Sequence, residues 1–243
     1  NGTPKMLGWL KEHGETLSHC IVGEPTATHY AGDTLKIGRR GSFTGKITVL
    51  GTQGHVGYPQ NALNPIPVLA ALISRLSSHV LDEGTEHFQP STLSFTTVDV
   101  GNPATNVIPA EAHATFNIRF NDSHSPESLQ DWIAREMEQV LPPSFRIYVT
   151  PTVGGDVFLT KPGTFTELIS VSVEAATGSR PLFSTTGGTS DARFIRSHCP
   201  VAELGLPGGT MHKIDECVPV AEIARLSDIY LAILEHYFAD PPQ

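Results

Sequence analysis

The 243 residues include only three cysteines, Cys20, Cys199 and Cys217, with no CxxC pair among them. So sparse and odd a set excludes a disulfide-framed scaffold or a four-cysteine zinc ribbon, and it fits a reducing compartment such as the cytoplasm. Basic residues are scarce as well. Lys+Arg 16 against Asp+Glu 25 leaves a formal net charge of −9. That balance argues against nucleic-acid and anionic-membrane partners, since both require a basic surface. No apolar run approaches the ~18 residues of a membrane span. The GxSxG, HExxH and GxGxxG motifs are all missing. Residues 41–46 (GSFTGK) resemble a phosphate loop only superficially: the segment is one residue short, and Ile47 stands where Ser or Thr must ligate magnesium. An initiator methionine is lacking too. The chain opens Asn1-Gly2-Thr3-Pro4, its first methionine is Met6, and no signal-like apolar stretch precedes it, so a piece of a longer protein is expected.

What is present is globular. With 39% hydrophobic and 17% charged residues the chain can bury the core of one large or two small domains. Residues 4–13 place Met6, Leu7 and Leu10 on one helical face before a capping Gly14. Residues 18–22 read as a short buried strand and 33–37 as another. From 42 onward the periodicity predicts a strand (42–50), a helix opened by Asn64 (64–81) and a strand (92–100). A cleanly alternating strand (111–120), a helix opened by Ser125 (126–140) and a strand (145–150) follow. This β-α-β-β-α-β order is the ferredoxin-like arrangement: one four-stranded antiparallel sheet with two helices on one face. The unit spans 41–151, with Pro151-Thr152-Val153-Gly154-Gly155 read as a hinge. Beyond it come a helix (163–177), a short helical turn (191–197), an apolar strand (200–204) and a long amphipathic helix (219–237). The fold class expected is therefore an α/β domain, residues 1–40 and 152–243, interrupted by an inserted α+β ferredoxin-like domain.

Four loops are not explained by packing. Gly23-Glu24-Pro25-Thr26 puts a carboxylate at the C-terminal end of a strand, the edge where open α/β sheets bind ligands, although a surface turn uses the same residues. Gly51-Thr52-Gln53-Gly54-His55-Val56-Gly57-Tyr58-Pro59 surrounds a histidine and a tyrosine with three glycines, and an ordinary hairpin loop is the competing reading. Thr185-Thr186-Gly187-Gly188-Thr189-Ser190-Asp191 could hold an anion with backbone N–H groups and hydroxyls, or Ser190 or Asp191 could simply cap a helix. Gly208-Gly209-Thr210-Met211-His212 presents a histidine suited to a metal or to general-base work, with Asp215 and Glu216 nearby, although one histidine among eleven usually does neither. The sequons at Asn1 and Asn121 read as chance matches.

Taken together and in order, VGEPT (22–26), GRRGSFTG (38–45), GTQGHVGYP (51–59), TNVIPAEA (105–112), FNIRF (116–120), GGTSDARF (187–194) and MHKIDECV (211–218) resemble the succinyl-diaminopimelate desuccinylases along essentially the whole chain. The resemblance implies a zinc-aminopeptidase-like catalytic α/β domain with an inserted dimerisation domain. It further implies a cytoplasmic homodimer that uses two zinc ions (cobalt or manganese being possible substitutes) to hydrolyse N-succinyl-L,L-diaminopimelate. Carried over by position, Glu24 and His212 are metal ligands, one to each ion. His55 stabilises the tetrahedral oxyanion in the partner subunit's site. Tyr58 and Asn106 contact substrate across the dimer, and Arg39, Arg119, Gly188 and Thr189 hold substrate carboxylates. Ala192 stands where the family usually has glycine, and the Gly154-Gly155 and Gly208-Gly209 stretches lack polar side chains that some relatives carry.

The resemblance also implies that a metal-binding His, a bridging Asp, a general-base Glu and a further ligand Glu lie upstream of the present start. One protein ligand per ion cannot build the three-ligand site of catalytic zinc. The chain alone is therefore expected to bind zinc weakly and to be inactive, with apolar surface or a sheet edge uncovered in residues 1–40 and 152–243. An acetylornithine deacetylase or other N-acyl-amino-acid deacylase, and a non-catalytic dimerising module, are the competing readings. Residues 41–151 should fold by themselves, so limited proteolysis is expected to cut the flanks first. Early cleavage inside 64–81 or 126–140 would contradict this.

Overall fold

The computed structural model describes residues 2–242; Asn1, with the sequon it begins, and Gln243 lie outside the described residues. In chain order the elements are α1 (Gly2–Glu12), β1 (Cys20–Val22), β2 (Thr34–Lys36), β3 (Gly38–Arg39), β4 (Gly41–Leu50), β5 (Gly54–His55), α2 (Pro65–Ser78), β6 (Thr92–Asp99), β7 (Val107–Ile108) and β8 (Glu111–Phe120). They continue with α3 (Pro126–Val140), β9 (Arg146–Gly155), β10 (Phe158–Leu159), α4 (Thr164–Thr177), β11 (Leu182–Ser184), α5 (Ala192–Ile195), β12 (Val201–Glu203) and α6 (Val220–Ala239). The chain divides into two compact units. One runs to Arg39 and resumes at Phe158; the other is Arg40–Val157.

The Arg40–Val157 unit is built on an antiparallel sheet in the order β6-β8-β4-β9. Along β8 the alternation is strict: Ala112, Ala114, Phe116, Ile118 and Phe120 are buried, and they join Leu69, Leu72 and Leu76 of α2 and Leu129 and Ile133 of α3 in one core. Both helices start where side chains satisfy their first backbone donors. Asn64 Oδ1 accepts from the Ile66 N–H at 3.1 Å, and Ser125 Oγ accepts from the Ser128 N–H at 3.2 Å while Ser128 Oγ accepts from the Ser125 N–H at 2.9 Å. Two glycines of the GRRGSFTG segment have a packing reason. Gly41 pairs with Phe120 and Gly45 with Phe116, and a Cβ at either glycine would overlap the facing ring. The aromatic rings lie across the strand where the glycines leave room, so this segment is a sheet strand and not a phosphate loop.

The segment read as a hinge, 151–155, is instead the second half of β9, paired with β4 from Gly45↔Pro151 to Ser42↔Gly155. β9 is an edge strand, and an edge position tolerates the missing N–H of Pro151, so turn composition does not end the strand here. The two-residue antiparallel pair of β5 and β7, which falls in GTQGHVGYP and TNVIPAEA, has no periodicity long enough to be read in advance.

The other unit has a mixed sheet in the order β1-β12-β2-β11. β1 runs parallel to β12 and β11 parallel to β2, while β12 meets β2 antiparallel at the single pair Glu203↔Lys36. Leu35, Ala202 and Leu204 face α4 and α6 through Ile169, Val173, Ile229 and Ile233. Val201 turns the other way, toward Leu7 of α1 and Ala192 and Ile195 of α5. Helices thus cover both faces. β1, expected to be buried, is only half-buried because it has a partner on one side alone. Of the apolar trio on α1 only Leu7 is buried, and Met6 is exposed. Edge strand β11 exposes Leu182 and Phe183, and α6 exposes Ile223, Leu231, Leu234 and Phe238. Gly45→Ala is expected to destabilise the Arg40–Val157 unit by about 1–3 kcal/mol through overpacking against Phe116. Urea unfolding followed by circular dichroism measures it, and an unchanged midpoint would contradict the packing reading.

Candidate active-site cleft

In the unit that carries both termini the C-terminal ends of all four sheet strands converge. Glu24 follows β1, Leu204 follows β12, Lys36 ends β2, and Thr186 lies just past β11. Ligands of open α/β sheets sit outside the carboxyl ends of strands, and here a cleft of about 430 Å³ opens at that edge. It is lined by Glu24, Lys36, Arg39, Gly188, Thr189 and His212 among others. Five sequence-predicted residues from distant parts of the chain are therefore brought together: Glu24, Arg39, Gly188, Thr189 and His212.

Backbone zipping sets Glu24 beside the His212 loop. The Leu204 N–H donates to Val22 O at 3.0 Å, the Ala27 N–H to Leu206 O at 3.3 Å and the Gly208 N–H to Ala27 O at 3.2 Å. Thr26 Oγ1 accepts from the Gly205 N–H at 2.9 Å. A Cβ at Gly205 would collide with the Glu24 backbone, so the two segments approach as closely as they do only because position 205 has no side chain. His212 is exposed and has φ 62°, an uncommon conformation for a residue with a side chain and one that clusters at functional sites.

The floor of the cleft is an ionic network. Arg39 is buried. Its Nε donates to Glu203 Oε2 at 2.8 Å, its Nη2 bonds the same oxygen, and its Nη1 donates to Thr186 O at 3.0 Å. Ser190 Oγ donates to Glu203 Oε1. Gly187 has φ 112°, and a Cβ there would run into the Arg39 guanidinium. The first glycine of the GGTSDARF segment is therefore needed twice, for its backbone angle and for the close approach. Ser190 does not cap α5, and Asp191 makes no cap bond; it accepts from Thr3 Oγ1 at 2.6 Å. α5 is four residues long, which leaves the loop backbone and hydroxyls, not a helix start, to meet an anion.

Glu203 and Lys36 were not singled out in the sequence. A lone acid inside the apolar run PVAEL was the available signal, since a carboxylate in a buried strand requires a partner. Burial, together with the Arg39 charge, lowers the Lys36 pKa below the ordinary lysine value.

The remaining sequence-predicted residues belong to the Arg40–Val157 unit. His55, Tyr58 and Asn106 meet at the β5–β7 strand pair and are exposed. The Val56 N–H donates to Asn106 O at 3.0 Å, the Tyr58 N–H to His55 O at 2.9 Å and the Gly57 N–H to His55 Nδ1 at 2.9 Å. The last bond makes Nδ1 an acceptor and leaves Nε2 to carry the proton outward. Arg119 is not part of this group. It sits at the opposite end of β8, half-buried, with Nη1 buried and without a hydrogen-bond partner among the described residues, in the field of Arg40. Asn121 is fully buried and donates to Asp82 Oδ1 at 2.6 Å, so its sequon offers no accessible acceptor.

As to metal, the cleft offers one carboxylate, Glu24, and one imidazole, His212. Among the described residues no three His, Cys, Asp or Glu side chains are grouped to hold an ion. The residues present in this chain do not by themselves fit the three-ligand requirement of a catalytic metal. Among the described residues no helix is long and apolar enough to cross a membrane.

Residues 37–144 match the peptidase dimerisation domain. The chain is 54% identical over 241 residues to a succinyl-diaminopimelate desuccinylase of Rhodopseudomonas palustris and 55% identical over 240 residues to that of Parvibaculum lavamentivorans, in each case over 98% of this chain and 61% of the relative. The corresponding protein of Cereibacter sphaeroides is 55% identical and is covered to 63%. The chain thus spans somewhat over three-fifths of the length of these relatives. Among solved structures, a tripeptidase from Staphylococcus aureus shares the fold with a TM-score of 0.72 at 20% identity, over 86% of this chain and 54% of that one. The yeast di-peptidase Dug1p does so with a TM-score of 0.69 at 16% identity, over 95% and 62%. The chain is therefore a homologue, over nearly its whole length, of proteins named succinyl-diaminopimelate desuccinylase, and it carries the peptidase dimerisation domain.

Proposed function

We propose that this chain works as part of a cytoplasmic, homodimeric, metal-dependent amidohydrolase that splits N-succinyl-L,L-diaminopimelate into succinate and L,L-diaminopimelate. The observation that carries this reading is the convergence of Glu24, Arg39, Gly188, Thr189 and His212 on one cleft at the C-terminal strand ends, in a chain 54–55% identical to proteins of that name. In this reading the inserted Arg40–Val157 unit forms the dimer contact, and Glu24 and His212 each give one ligand to a two-zinc centre. Glu24 and His212 would hold it only together with residues outside this chain, and the chemistry such a centre would supply is an activated water and a polarised scissile carbonyl.

The chain's own residues have separable tasks. Glu24 and His212 are held side by side by the zipped loops. The Gly188-Thr189 backbone and hydroxyl receive a substrate carboxylate, and Arg39 keeps that loop in place through Thr186 O. His55, aimed outward by its Nδ1 bond, donates to the developing oxyanion in the partner's cleft, a kind of contact worth a few kcal/mol in transition-state binding. Tyr58 and Asn106, beside the same strand pair, orient the substrate there. Arg119 offers an unpaired guanidinium nitrogen to a further carboxylate.

The test is to join to this chain the upstream segment of the R. palustris relative that it does not span. The expected result is hydrolysis of N-succinyl-L,L-diaminopimelate in preference to N-acetylornithine, with no turnover by the chain alone and a loss of about 100-fold or more in kcat on His55→Ala. Faster turnover of N-acetylornithine would favour the deacetylase reading. No turnover of any N-acyl amino acid by a folded fusion would favour a non-catalytic dimerising module.

A further inference from the structure

The cleft contains one cation whose charge is not matched by a bonded carboxylate. Lys36 is buried, yet it lines the cleft. Its Nζ donates to Ser184 Oγ at 2.8 Å and to Thr186 Oγ1 at 2.6 Å, two neutral hydroxyls, and the third ammonium hydrogen has no partner among the described residues. Glu203 stands directly opposite in the sheet register, but both of its oxygens are engaged elsewhere, one by Arg39 and one by Ser190. The other carboxylate in the field of Lys36, Asp33, accepts from the backbone of Thr28, His29 and Tyr30 and from Thr34 Oγ1. On this face of the sheet Lys36 and Arg39 contribute two positive charges and Glu203 one negative. These three buried side chains alone sum to about +1; Glu24, the other carboxylate of the cleft, is not bonded to Lys36.

Leaving a buried ammonium without a counter-charge is costly in free energy, and a protein retains one where an anion arrives to meet it. Lys36 also burdens its own environment: burial and the neighbouring guanidinium both disfavour its charged form. A compact ammonium with one free donor suits a single carboxylate oxygen, whereas Arg39, with its fork turned onto Glu203, is built to hold the loop.

We infer that Lys36 is a substrate-binding residue that receives a carboxylate of an N-acylated amino acid at the floor of this cleft, with Arg39 and Glu203 positioning the Thr186–Thr189 loop around it. This rests on the reading of the cleft as a hydrolase site and adds the residue that supplies its uncompensated positive charge. The ammonium also biases the cleft toward acyl groups that end in a carboxylate and against neutral ones such as acetyl.

Succinate titrated into the full chain, followed by two-dimensional NMR of backbone amides, tests this directly. Saturable shifts at Thr186, Gly187 and Gly188 are expected, weakened at least about tenfold in Lys36→Met and retained within about threefold in Lys36→Arg, which keeps the charge. The neutral diamide succinamide should produce no such shifts. Circular dichroism and thermal unfolding confirm that both variants are folded. Equal succinate affinity in wild type and Lys36→Met, or no saturable shift in wild type, would overturn the inference. The outcome is separable from that of the proposed reaction. A fusion that hydrolyses N-succinyl-L,L-diaminopimelate while Lys36→Met binds succinate normally removes Lys36 and leaves the reaction. Lys36-dependent binding with a fusion that does not hydrolyse it removes the reaction and leaves the subsite.

Discussion

The buried ion pair between Arg39 and Glu203 is the interaction on which the geometry of the cleft depends. It ties the end of β3 to the end of β12, and Arg39 reaches on to the Thr186 carbonyl while Ser190 closes on the second carboxylate oxygen. Three strand ends and the glycine-rich loop are thereby held in one arrangement. Removing one partner of such a pair costs about 3–5 kcal/mol, because the other charge stays behind in a dry environment. An apolar replacement of both partners could match it in stability but could not also grip a loop carbonyl and a serine hydroxyl. The pair also explains why position 187 is glycine, since the guanidinium occupies the space a side chain would need.

The cleft follows from the topology built around that pair. Two parallel pairs, β1 with β12 and β2 with β11, run in opposite directions and meet where the last residues of β12 and β2 pair, Glu203 with Lys36, so the carboxyl ends of all four strands come together around that pair. Residues separated by nearly 190 positions, Glu24 and His212, line one concavity as a result. The inserted unit obeys a different logic. Its sheet and two helices bury a single core, and its functional-looking residues are displayed around a small antiparallel pair of two-residue strands stitched by Val56 and Asn106.

Much of the fold was legible in the sequence because period and capping are local. The strict alternation of 111–120 and the Asn64 and Ser125 starts marked β8, α3 and the beginning of α2 to the residue, while α2 ends at Ser78, three residues before the expected 81. The edges were less legible. Pro151, Gly154 and Gly155 have hinge composition, yet they extend β9, because an edge strand tolerates what a central one does not. β3, β5, β7, β10 and β11 are two or three residues long, too short for any period to show. In the cleft the conspicuous residues, Glu24, Arg39, Gly188, Thr189 and His212, could be picked out by motif, whereas Glu203 and Lys36 could not. Their importance lies in a cross-strand pairing between positions 36 and 203; the lone acid in PVAEL signals that Glu203 needs a partner, but nothing local names that partner or marks Lys36.

At the centre of this account is the proposal that the cleft carries part of a metal site, with Glu24 and His212 as its share. Zinc stoichiometry after exhaustive dialysis tests that claim most directly, on the chain alone and on the chain joined to the upstream segment of a relative. The account predicts no tightly held zinc on the chain alone. It also predicts metal retained by the joined protein and diminished by either Glu24→Ala or His212→Ala. One or two ions held tightly by the chain alone, or retention by the joined protein unaffected by both substitutions, would contradict it.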